Sequence, residues 1–148
     1  MPTHPYLRAY LAGIFIPTLI LPLFLTAFIV LRLVLQLQVP IERGLVFPMA
    51  LVPAIWGLWN MLWLGLSNRV HISVGVHGAV LPLLLLPAGA TTASCFGVLS
   101  LGATSATWFQ TIQIPYALIV PCFLAALAVY YLVWKYIVGS INRNLGIA

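Results

Sequence analysis

Trp56, Trp59 and Trp63 recur at i, i+3 and i+7, with Asn60 beside them. At helical spacing the three indoles share one face. Flat apolar walls with one amide among them suit a flat apolar molecule such as a quinone, a pigment or a sterol. The same stripe suits packing against a neighbouring helix or lipid tails. Asn60 would then make an interhelical hydrogen bond worth about 0.6–2 kcal/mol. Trp56, Trp59, Asn60 and Trp63 are the candidate ligand-binding set.

A second group is polar and small: Gly89, Thr91, Thr92, Ser94, Cys95, Gly97 and Ser100. Small residues let helix backbones approach closely, and hydroxyls bond across helices or to a carbonyl freed by a nearby proline. Thr91, Thr92 and Ser94 are the candidate lining of a narrow polar path. Glu42 is the only acid in the chain and is followed by Arg43. Coupled ion transport usually needs an acid within the membrane, so Glu42 in a connector argues against cation antiport. His71 and His77 flank one apolar run and His4 lies near the start. Their loose spacing gives no recognisable metal or haem motif. Cys95 and Cys122 both fall in apolar runs and read as small buried hydrophobes. No Ser or Cys stands beside a His base, and phosphate loops and dinucleotide motifs are absent. The expectation is a protein without catalytic residues, metal or cofactor.

The elements that must position these groups are membrane helices. The chain has 148 residues, 64% apolar and 5% charged. A soluble domain carries about a quarter charged residues, so this composition points to an integral membrane protein. Four spans are expected at about 10–35, 44–66, 77–101 and 111–138, joined by short loops, in one four-helix transmembrane domain. The first run is too long for a signal peptide and lacks a small-residue cleavage site. Gly102 to Gln110 reads as a neutral connector. Tyr130, Tyr131, Trp134, Lys135 and Tyr136 read as an aromatic and basic belt at the headgroups.

Three spans open alike. Gly13, Pro17 and Pro22, then Gly44, Pro48 and Pro53, then Gly78, Pro82 and Pro87 all follow G-x-x-x-P-x-x-x-x-P. The fourth keeps only Pro115 and Pro121. The first proline of each pair is expected near a helix start, where its missing N–H costs little. The second, at Pro22, Pro53, Pro87 and Pro121, is expected to kink its helix. Such kinks would splay the helices at a membrane face.

The net charge is +5, but the six cations are scattered singly. That pattern anchors helices in a membrane and does not track nucleic acid. Four spans place Arg8, Arg69, Lys135 and Arg143 on the side of the termini, against Arg32 and Arg43 opposite, which favours cytoplasmic termini. The functional expectation is a non-catalytic oligomeric scaffold or membrane-complex subunit that binds lipid or another apolar ligand. A channel or facilitator for a small neutral or anionic solute is the alternative. Expected partners are membrane lipid and either further copies or other membrane subunits.

Overall fold

The computed structural model describes residues 4–36, 46–67 and 69–147. It is an all-α membrane architecture with four helices long and apolar enough to span a bilayer. They are α1 (Pro5–Val34), α2 (Phe47–Ser67), α3 (Val74–Cys95) and α4 (Tyr116–Asn144). Between α3 and α4 runs a short antiparallel meander, β1 (Leu99–Leu101), β2 (Ser105–Trp108) and β3 (Ile112–Pro115).

Several boundaries differ from the sequence expectation. Helix α1 starts at Pro5, where proline at the first position is pre-organised and loses no needed donor. Helix α3 starts at Val74 instead of His77, because Ser73 caps it; its hydroxyl accepts from the Val76 N–H at 3.4 Å. It stops at Cys95 instead of Leu101, and Leu99–Leu101 becomes a strand. Helix α4 starts after Pro115, a residue held extended, and runs to Asn144 past the expected end at Val138. The Gly102–Gln110 connector contains strand β2 between two turns. Glu42 and Gly44 lie outside the described residues.

Prolines fall differently from expectation too. Pro48 does sit in the first turn of α2, but Pro17 and Pro82 lie well inside α1 and α3, because those helices begin earlier than their apolar runs. Pro22, Pro53, Pro87 and Pro121 are also helix-interior. Each removes the donor for the carbonyl four residues before it. For Pro17 and Pro82 these are the carbonyls of Gly13 and Gly78.

The helices form two hairpins, α1 on α2 and α3 on α4. Glycine sets both crossings. A Cβ on Gly13 would lie 2.5 Å from the Trp56 carbonyl oxygen and 2.9 Å from the Gly57 Cα. A Cβ on Gly78 would overlap the Trp134 indole, and one on Gly75 would lie 2.9 Å from the Tyr131 ring. Missing side chains let backbones and rings meet directly, where apolar attraction alone gives little drive in lipid. Gly13-Pro17-Pro22 and Gly78-Pro82-Pro87 thus do the same work in two hairpins. In each, the glycine and first proline are buried and the second proline is exposed.

Candidate functional site

The hairpins are joined at the end of the bundle that holds the chain ends. There, Trp56, Leu81, Trp134 and Val138 form the buried core, flanked by Ile16, Val52, Leu85 and Tyr130. Trp134 was expected at the headgroups. It is fully buried instead, because Gly78 leaves a flat surface for its indole. A π-helical stretch over Val133–Val138 carries Trp134 and Val138 inward, while Lys135 and Tyr136 stay outside. The Lys135 ammonium lies 5.4 Å from the Tyr131 ring and 5.3 Å from the Tyr136 ring, within cation–π range. That part of the expected belt is on the surface.

Polar side chains lock the same end. Asn60 and Asn142 are fully buried and pair reciprocally. The Asn60 amide donates to Asn142 Oδ1 at 2.9 Å, and the Asn142 amide donates back to Asn60 Oδ1 at 3.1 Å. The Asn60 amide also donates to the Ala9 carbonyl at 2.7 Å. One side chain of α2 thereby ties α1 and α4 together. Asn142 lies beyond the expected end of the last span at Val138, so hydropathy alone does not bring it to Asn60. A lone buried-facing amide demands a partner, and that was the available signal.

Trp59 and His77 make a second reciprocal pair across the hairpins. The Trp59 indole N–H donates to the His77 carbonyl at 2.9 Å, and His77 Nε2 lies 2.9 Å from the Trp59 carbonyl. Since a carbonyl only accepts, Nε2 carries a proton. The rings stack with centroids 4.5 Å apart. Trp63 donates to the Ile72 carbonyl at 3.2 Å. Arg8 donates to the Leu145 carbonyl at 3.1 Å, which brings the two chain ends together on one side.

The expected ligand-binding face is therefore turned toward the other helices. Trp56 is buried against Tyr130 and Trp134, with centroids 5.1 and 5.4 Å away. Trp59, Asn60 and Trp63 spend their polar atoms on the chain itself. Among the described residues, the indole N–H groups of Trp56 and Trp134 have no acceptor in hydrogen-bond geometry.

The residues expected to line a polar path are in another part of the fold. Thr91, Thr92 and Ser94 are exposed near the far end of α3. Thr91 donates to the Pro87 and Ala88 carbonyls, both at 2.9 Å, and Thr92 to the Ala88 carbonyl at 2.8 Å. These are bonds back to their own helix and not to the Leu83 carbonyl that Pro87 frees. Cys95 and Cys122 are free and exposed, which corrects the expectation that both are buried. In this membrane protein exposed positions along a span can face lipid, where a thiol remains apolar enough to sit. Among the described residues no three His, Cys, Asp or Glu side chains gather as a metal site.

No known family, curated protein or solved structure matches this chain. Function therefore rests on the geometry. Every buried helix residue described lies in the half of the bundle next to the chain ends. In α1 burial ends at Pro17 and in α3 at Pro82; in α2, which runs the other way, it begins at Trp56, just past Pro53. The opposite half of each helix exposes Leu, Ile, Val and Phe side chains.

Proposed function

We propose that this chain is a non-catalytic membrane scaffold or complex subunit, with one half as a clasp and the other as a docking region. The observation that carries this reading is the uneven burial. One half of the bundle is closed by glycine crossings, an aromatic core and the Asn60–Asn142 pair. In the other half no described helix residue is buried.

The open half is where neighbours are received, either further copies or other membrane subunits. Its α3 wall includes Gly89, around which a Cβ would meet nothing within 4 Å. Small residues on a lipid-facing helix allow close helix approach. A lipid or other apolar molecule takes its place in this half, and the Trp56–Trp63 stripe serves closure of the bundle. The termini lie in the cytoplasm, as the excess of Arg and Lys on their side favours.

Native mass spectrometry from nanodiscs tests the proposal. Masses at multiples of 16.2 kDa, or a constant extra protein mass, are expected. Gly89→Leu should shift that distribution toward single chains while leaving the thermal unfolding midpoint of the monomer unchanged. A strictly single-chain mass at native expression levels would overturn the proposal.

A further inference from the structure

We propose that the β1–β2–β3 meander is an interfacial lipid-binding element, its apolar face seated on the acyl boundary of the leaflet opposite the chain ends. The register carries the inference. Leu99 pairs with Trp108 and Leu101 with Ala106; Ile112 pairs with Trp108 and Ile114 with Ala106. Directly paired residues share a face, and faces alternate along each strand. These six side chains therefore make one wholly apolar face. Ser100, Thr107 and Gln113 pair in a row across the other face.

Placement follows from the flanking helices. Strand β1 begins four residues after α3 ends at Cys95, and α4 begins at Tyr116 directly after β3. Both helices are long enough to span, so the sheet sits at the edge of the hydrocarbon layer with no polar spacer to lift it clear. No Asp, Glu, Lys or Arg occurs between Arg69 and Lys135.

The chain covers only part of the apolar face. Leu99 and Ala106 are buried, but Leu101 is 65% exposed and Ile112 48%, and Phe96 beside the sheet is 70% exposed. In water, uncharged strands with apolar rims of this kind promote aggregation, and soluble proteins blunt them with charge. At the lipid boundary the same arrangement is favourable. The ladder satisfies much of the backbone, Leu101, Ile112 and Phe96 enter the acyl region, and Trp108 sits at headgroup depth. The face borders the spans directly, which makes lipid its continuous neighbour. With no charge on the sheet, insertion depth does not depend on anionic lipid or salt.

The test is a nitroxide at Leu101 and, separately, at Gln113, in the full chain with Cys95→Ser and Cys122→Ser, reconstituted in phosphatidylcholine vesicles. Collision with oxygen relative to a water-soluble nickel chelate should be several-fold higher at Leu101 than at Gln113. That ratio should hold with about one-third anionic lipid and at about 1 M salt, where charges are screened. Equal ratios at both sites would overturn the proposal by showing that the two faces of the sheet meet the same surroundings. A Leu101 label shielded from both reagents would overturn it by assigning the face to a protein partner. A second measurement needs no label: nitroxide lipids of shallow depth should quench the unmodified chain more than Trp108→Phe. Identical quenching of the two would also overturn the proposal.

Discussion

Asn60 has two roles that single substitutions separate poorly. It satisfies Asn142 and it reaches the Ala9 carbonyl. Removing one amide of a buried pair leaves the other unsatisfied, which costs about 1–3 kcal/mol. Asn60→Ala and Asn142→Ala are each expected to destabilise by that order. In a double-mutant cycle the pair should show coupling of about 0.6–2 kcal/mol, read from reversible unfolding in mixed micelles. Additive effects would show that the two amides act apart. Glycine is as specific. Gly78→Leu should break the α3–α4 crossing because its side chain would enter the Trp134 ring. Overpacking of this kind costs about 1–3 kcal/mol or more. Gly89→Leu, with open space around it, should leave monomer stability unchanged within about 0.5 kcal/mol. Thermal unfolding of the two variants side by side checks both expectations.

At the scale of elements, the meander has an unusual turn. Phe109 and Gln110 both take positive φ, 53° and 58°, and the Thr111 N–H donates to the Trp108 carbonyl at 3.0 Å. This is the type I′ geometry that Asn-Gly or Gly-Gly normally supplies. Two L-residues with larger side chains there cost about 1–2 kcal/mol each. Gln110→Gly should therefore stabilise the hairpin by about 1 kcal/mol, seen as slower amide exchange over 105–115. The absence of a glycine at this turn also explains why the sequence hid the hairpin. Its period-two signal was present in Leu-Ser-Leu, Ser-Ala-Thr-Trp and Ile-Gln-Ile, but each run is only three or four residues long. Leu99–Leu101 continues an apolar helix pattern without a charge to break it, so periodicity could not separate strand from span. The helix starts were hidden for the opposite reason. Hydropathy marks the lipid layer, whereas Pro5 and Ser73 mark where the backbone begins to turn, several residues earlier.

For the whole molecule, the division into a closed and an open half predicts uneven behaviour. The described hydrogen bonds between the hairpins sit at the closed end, at Trp59–His77, Asn60–Asn142 and Arg8–Leu145. Pairs of labels across the two hairpins should give narrow distance distributions near residues 9 and 139. They should be broader near residues 25 and 120 in isolated monomers. Assembly should narrow the second distribution, as measured by double electron–electron resonance before and after oligomer purification. Equal widths in monomer and assembly would detach the open half from assembly.

Composition and run length are enough to establish the membrane class and the four spans, because about 20 uncharged apolar residues in a row have no other favourable solvent. The sequence also marks the Gly–Pro repeat and the Trp56–Trp63 face, since both are periodic along one chain. What those features touch emerges only once the helices are packed. Gly13 meets Gly57, Gly78 meets Trp134, and Asn60 finds Asn142, 82 positions away. No local period encodes such meetings. They depend on which helix faces which, and in lipid that choice is made by small residues and polar pairs whose partners lie elsewhere in the chain.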